Sequence, residues 1–314
     1  MDSFLFSLNA IVPVFAVMII GYLLKRIGWI NDNFANTANK FVFKICLPAL
    51  LFQDLMSADI RHHFDVTYVL YCAGVTVISI AVIWIVSRHV LKDKSMVGAF
   101  VQASYRSSAA ILGTAFIQNI YGNSGMAPLM IIGAVPIYNI AAVIILTLEG
   151  EHSGQGKEKI KQAAINILKN PIIIGIVAGC IASLLGLDFP QMVDKTISSL
   201  AVMTSPLALI SIGAGFEGRK ALAKMKPTCV ASFIKLVGLS AVFLPIAIWL
   251  GFRDQKLMAL IIMLGSPTTP TAYIMAKNMG GDDVLSSSVV VMTTFLSAIT
   301  LTFWIFLMRY LGWL

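Results

Sequence analysis

Residues 102–114 read QASYRSSAAILGT, and they place Arg106 among Ser104, Ser107 and Ser108 inside an otherwise apolar stretch. A cation at bilayer depth costs at least about 2.5 to 3.5 kcal/mol when nothing compensates it. The planar guanidinium fork suits a carboxylate, which it holds through two parallel hydrogen bonds. The chain itself offers few such partners. Away from their ends the apolar stretches hold three cations, Lys44, Arg106 and Lys235, and a single acid, Asp54, near the outer end of one stretch. A carboxylate brought by a ligand would complete Arg106; the plainer alternative is a structural cation bonded to helix carbonyls.

GSPTTPT, 265–271, is a second polar centre. Pro267 and Pro270 each remove a backbone donor and obstruct the preceding turn, so helical hydrogen bonding should lapse there. Bare amides and carbonyls survive at membrane depth only where protein or an aqueous cavity satisfies them, a task for the hydroxyls of Ser266, Thr268, Thr269 and Thr271. The alternative is a structural helix with a proline kink. Tyr138 and Asn139, beside Pro136, present a phenol and an amide at mid-membrane depth. They either complete a carboxylate site or hydrogen-bond the backbone of a neighbouring helix. Lys235 either snorkels to the nearer membrane surface or stands in for a coupling cation. Lys44 fits a gate or structural role better than ligand contact.

The elements that must position these groups follow from composition. Hydrophobic residues make up 58% of the 314 and charged residues 12%, with mean hydropathy +0.86, far from the usual soluble domain. The chain reads as an all-α, multi-pass membrane protein. Windows of about 20 residues predict ten helices, over 5–27, 34–56, 66–88, 96–119, 126–148, 164–186, 192–216, 228–250, 256–277 and 284–311. The first apolar run has Asp2 before it and Lys25-Arg26 after it, the reverse of a signal peptide, and is expected to stay as a span. Lys25, Arg26, Lys40, Arg88, Lys92, Lys94, Lys157, Lys159, Lys161, Arg219, Lys220, Lys224, Lys226 and Lys277 collect on one side; only Arg61, Lys195, Arg253, Lys256 and Arg309 fall on the other. The first side is then cytoplasmic and both termini face outward across the cell membrane. The net charge of +8 is a topology signal that also suits contact with anionic lipid, and it gives no reason to expect nucleic acid. Cys46, Cys72, Cys180 and Cys229 are far apart with no CxxC, and the four histidines fall near loops. Buried small hydrophobes are the expected role of the thiols, with no metal and no cofactor.

The polar linker EGEHSGQGKEKIKQ, 149–162, divides the chain nearly in half. Pro13, Gly21, Gly28 and Pro48 recur 158 residues later as Pro171, Gly179, Gly186 and Pro206, and QNIYGN (118–123) aligns with KNMGGD (277–282) at an offset of 159. The pattern predicts a five-helix repeat over 1–148, a linker over 149–163 and a second repeat over 164–314. Five is odd, so the second copy enters from the opposite side. Inverted repeats of this kind place a substrate near the midplane, where interrupted helices meet. The fourth and ninth helices correspond, and they carry SYRSS and GSPTTPT. The fourth has no proline, so its interruption rests on serines alone.

NKFVFKICLPALLF, 39–52, resembles the second-helix pattern of the auxin efflux carrier family of bacterial transporters, related to the plant PIN carriers. GYLLKRIGWI (21–30), the Arg-centred fourth helix with Gly113 and YGN (121–123), FIKL (233–236) and the Pro-interrupted ninth helix extend the likeness over essentially the whole chain. The resemblance implies ten helices in two inverted five-helix repeats, with broken helices crossing at the fourth and ninth positions. It implies transport of small organic anions such as dicarboxylates or auxin-like carboxylates by a homodimer. Helices one, two, six and seven would form a scaffold, and the rest an elevator-like moving part. Arg106, Ser107, Ser108, Tyr138, Asn139, Ser266, Thr268 and Thr269 would bind substrate, with Pro48, Pro206, Pro267 and Pro270 shaping the crossover and passage. Relatives usually carry Asn in the fourth-helix crossover, often with Pro nearby; here Ser107 and Ser108 stand in that region.

Other classes fit less well. An intramembrane enzyme needs an activated nucleophile, metal ligands or paired acids, and the predicted spans offer no His, Glu or acid pair. A membrane sensor on a transporter-like core would usually carry an output domain. A sodium-coupled carrier of the bile-acid type favours intramembrane acids and amides, which are scarce here. The topology is open to direct test: a cysteine placed in the 149–162 linker should react with an impermeant maleimide only from the cytoplasm, and one replacing Trp313 only from outside.

Overall fold

A chain crossing hydrocarbon must satisfy its backbone groups within each segment, and helices do this without partners. The computed structural model describes residues 2–56, 65–109, 117, 121, 126–150 and 164–314, without the side chains of 2–11. Most of the expected linker, and the fourth-helix stretch beyond Ala109 with YGN apart from Ile117 and Tyr121, lie outside the described residues. Every regular element described is helical. The helices are α1 (Asp2–Arg26), α2 (Asp32–Phe41), α3 (Leu47–Met56), α4 (Val66–Val90), α5 (Val97–Tyr105), α6 (Ala127–Glu149), α7 (Pro171–Leu185), α8 (Gln191–Val202), α9 (Thr204–Ala214), α10 (Gly218–Ala223), α11 (Met225–Phe233), α12 (Leu239–Trp249), α13 (Asp254–Gly265), α14 (Thr271–Asn278) and α15 (Asp283–Tyr310). Among the described residues, five stretches are long and apolar enough to cross a membrane: Val66–Val90, Ala127–Glu149, Gln191–Ala214, Met225–Trp249 and Asp283–Tyr310.

Several expected helices are subdivided, and proline explains two of the breaks. The Pro48 ring is incompatible with the carbonyl four residues earlier, at Lys44, and a π turn over Val42–Cys46 joins α2 to α3 there. Pro206 acts in the same way on Val202, where α8 ends and Met203 leads into α9. The π turn turns Lys44 outward, so this cation is exposed and takes no part in the buried polar centre. Cys46 and Cys72 are buried as expected, whereas Cys229 is exposed. Cys229 lies on the outer face of its helix, which in a membrane protein is as apolar as the inner face, so hydropathy does not tell the two apart.

Caps fix several helix starts. Asn31, Asp65 and Asp282 accept from the backbone N–H three residues on, of Phe34, Tyr68 and Leu285, at 2.9, 3.0 and 2.9 Å. Ion pairs then tie helix ends at both surfaces. Arg88 reaches Glu149 at 3.1 Å, and Lys224 pairs with Asp282. At the other surface Asp65 meets Lys256 at 2.5 Å, and that ammonium holds the Asp65 carboxyl below the usual aspartate range.

The closest packing is made by glycine. α1 lies on α9, and α3 lies on α7. A Cβ on Gly21 would stand 2.4 Å from the Ile210 carbonyl oxygen, and one on Gly179 2.9 Å from that of Phe52. Gly213 against Met18 and Gly175 against Pro48 make like approaches, at 1.9 and 2.7 Å. Such backbone contact between membrane helices gains van der Waals energy that larger residues would forbid. Gly21→Val and Gly213→Val should each lose roughly 1 to 3 kcal/mol of stability through overpacking. Gly74→Ala, where a Cβ meets nothing within 4 Å, should melt as the parent does in a detergent thermal-unfolding assay.

Candidate functional site

α5 stops at Tyr105 and α13 stops at Gly265, both in mid-stretch. Arg106 and Ser266 continue the chain in extended conformation, with ψ of 133° and 157°. The fourth helix is thus interrupted without a proline. The freed groups are satisfied across the crossing point. Ser108 N–H donates to the Pro267 carbonyl at 3.0 Å, and the Thr268 hydroxyl donates to the Ala103 carbonyl at 2.7 Å. The Ser107 and Ser266 hydroxyls meet at 2.5 Å, and Thr268 N–H donates to the Thr293 hydroxyl at 3.1 Å. The 266–268 segment thus satisfies groups of the 103–108 segment, and α15 supplies the acceptor for Thr268 N–H.

Arg106 is 1% exposed. Its Nη2 donates to the Asn139 side-chain oxygen at 2.6 Å, and its Nη1 to the Met275 sulfur at 2.8 Å. Nε has no partner. The guanidinium carbon stands 5.4 Å from the centre of the Tyr138 ring, in cation–π range. None of the ion pairs among the described residues includes Arg106. Asn139 is oriented by its own amide N–H, which donates to the Val135 carbonyl at 2.9 Å. Tyr105 O–H donates to the Tyr138 carbonyl at 3.0 Å, and Tyr138 O–H points to the Ser107 carbonyl at 3.4 Å.

Lys235 is 0% exposed, so it does not snorkel. It sits in a second π turn, Ile234–Gly238, between α11 and α12. Its ammonium donates to the carbonyls of Leu264 at 2.6 Å and Met263 at 3.2 Å. These belong to the last turn of α13, where carbonyls are orphaned and the helix dipole is negative. Thr269 meets the Thr271 hydroxyl at 3.2 Å. A cavity of about 20 Å³ touches Ser107, Tyr138 and Leu264, room for about one water-sized group. The structure thus brings together Arg106, Ser107, Ser108, Tyr138, Asn139, Ser266, Thr268, Pro267 and Lys235. Pro48 and Pro206 lie elsewhere, Pro48 against Gly175 of α7 and Pro206 exposed in the first turn of α9.

Residues 6–305 match the family described as membrane transport protein. The chain belongs to this family, that of the auxin efflux carriers. The transporter is 23% identical over 305 residues to an uncharacterized transporter of Methanothermobacter thermautotrophicus, covering 96% of this chain and 98% of that protein. It is 24% identical to a putative malonate transporter of Rhizobium meliloti, with 95% of each chain covered. An uncharacterized transporter of Escherichia coli K12 is 22% identical, over 97% of this chain and 98% of its own. Family and relatives alike indicate a membrane transporter and not an enzyme.

Two members of the transporter's polar centre escape a sequence reading. Met275 looks like any apolar helix residue, yet its sulfur accepts from Arg106 and, at 3.5 Å, from Gln102. Thr293 is one hydroxyl among many in α15; its signal is a polar group in an apolar run. The crossing predicts a clear stability effect. Thr268→Val keeps the shape but strands the Ala103 carbonyl, and should lower unfolding stability by about 1 to 3 kcal/mol, read by thermal unfolding in detergent.

Proposed function

We propose that the protein is a secondary active transporter of small organic anions, whose carboxylate is the counter-ion of Arg106. The observation that carries this reading is a buried guanidinium resting on a thioether and an amide, both neutral, with Nε unsatisfied. A thioether is a weak acceptor, and a carboxylate offers the fork a stronger, charge-assisted pair of bonds. Asn139 and Tyr138 contact the guanidinium, Ser107 and Ser108 follow it in the chain, and Ser266 meets Ser107; their polar groups would bind the rest of the anion, while Thr268 holds the crossing and Thr269 pairs with Thr271. The relative named for malonate favours a short dicarboxylate over a bulky one.

The wider architecture in this proposal is ten helices in two inverted five-helix repeats, 1–148 and 164–314, with a cytoplasmic linker and both termini outside. Packing supports it. The Gly21–Ile210 approach becomes Phe52–Gly179 when each number is shifted by 158 in the appropriate direction, and Ser107 and Ser266 face each other 159 residues apart. A frame of α1–α3 and α7–α9 would form the homodimer, with the remainder moving against it in an elevator-like cycle. Pro48 and Pro206 would shape the frame side of the passage through the breaks they cause. Lys235, held by the α13 carbonyls, would stand in for a coupling cation.

Arg106→Gln should abolish malonate binding while the protein still folds, because removing the cation also removes its desolvation cost. Arg106→Lys keeps the charge without the fork, and affinity should fall by roughly 1 to 3 kcal/mol. Calorimetric titration and thermal unfolding on the same preparations separate this from a structural arginine. For the latter, both variants lose stability before any specific change in binding. Unchanged malonate affinity in a stable Arg106→Gln protein overturns the proposal.

A further inference from the structure

An apolar groove of about 780 Å³ runs between α4 and the α11–α12 segment. Its walls include Ile78, Val82 and Val86 on one side and Val230, Val242 and Phe243 on the other, with Phe100 of α5 also lining it. From Ile78 to Leu91 a helical wall measures about 20 Å. One leaflet of a hydrocarbon core about 30 Å thick measures about 15 Å. The groove therefore matches a single leaflet rather than the whole membrane.

The two ends differ. At the far end the Tyr71 hydroxyl donates to the Phe243 carbonyl at 2.5 Å and ties the walls together. At the near end Lys226 lines the groove. Lys94 is outside the lining but donates to the carbonyl of Leu91, which lines the groove, at 2.8 Å, and to that of Arg88, and these bonds hold its charge near the mouth. Asp93, the acid in that loop, is engaged by Ser95 N–H and O–H at 3.0 and 2.7 Å, and Glu149 is engaged by Arg88. Hydrogen bonds from a serine leave the Asp93 charge in place, so Lys226 and Lys94 against that one carboxylate give the mouth a positive balance of about one charge at the level where headgroups lie.

We propose that this groove is a binding site for one anionic phospholipid, its acyl chain between α4 and α12 and its phosphate on Lys226 and Lys94. An apolar slot one leaflet long with cations at one end alone fits that amphiphile; a zwitterionic headgroup brings the same phosphate but also a cation of its own, which these lysines repel. The site reaches the transport machinery. Ile234, Gly238 and Leu239 line the groove, and the first two belong to the π turn that carries Lys235. Ser79 and Leu239 line both the groove and the small cavity touching Ser107 and Tyr138. A seated chain would brace the turn that places the Lys235 ammonium. The proposal requires only that the protein lies in a membrane, so it can fail or stand independently of the anion reading.

Native mass spectrometry of the full chain, titrated with phosphatidylglycerol or phosphatidylcholine of identical chains, tests it. Wild type should retain phosphatidylglycerol at least 5-fold more readily. Lys226→Glu should erase that preference. Gly238→Leu should reduce retention of both lipids: a Cβ there meets nothing nearer than 3.8 Å, so the added side chain projects into open groove. Val242→Trp, on the same wall, is a second blocker if Gly238→Leu does not fold. No headgroup preference in wild type, its persistence in Lys226→Glu, or undiminished retention in the folded blockers overturns the site.

Discussion

The structure depends on one constraint: two helices stop in the middle of an apolar protein, and every backbone group released there must find a partner without water. Each unsatisfied group in such surroundings costs several kcal/mol. The crossing meets this from one side, since Pro267 supplies a carbonyl to Ser108 and Thr268 supplies a hydroxyl to Ala103. Lys235 takes the remaining strain at the end of α13 by donating to two carbonyls at once. The polar residues that look anomalous in the sequence are thus largely committed to backbone. Arg106 is the exception, because its acceptors are neutral side chains that a stronger acceptor could replace.

This division separates supporting residues from responsive ones. Thr268 and Lys235 hold the helix ends, and altering them changes geometry before chemistry. Arg106, Asn139 and Met275 form a charge with soft partners on three different helices, α6, α14 and the end of α5. An anion entering there would change contacts on all three together. Differential contact of this kind is what couples ligand binding to rearrangement.

Much of the site was legible in the sequence. Arg106, Tyr138 and Asn139 stood out because polar groups are costly in an apolar run, and the structure gathers them. The break at 266–270 follows from Pro267 and Pro270. The break after Tyr105 was less legible, because Ser107 and Ser108 could equally have bonded their own helix; only the partner segment decides. The expected helices over 34–56, 192–216 and 228–250 hid internal interruptions, since a hydropathy window does not register a single inserted residue. Pro48 and Pro206 point to two of them once the ring clash is considered. Met275 was invisible because sulfur in a helix reads as packing.

The glycine contacts bear on how the chain assembles. Gly21 closes against Ile210, and Gly179 against Phe52, so each joint is built from residues on opposite sides of the 151–163 segment. Neither part of the chain makes these contacts by itself. Covalent connection replaces a search between two membrane-embedded fragments with an encounter at high effective concentration. The connecting segment therefore acts as an assembly tether, whatever its own sequence.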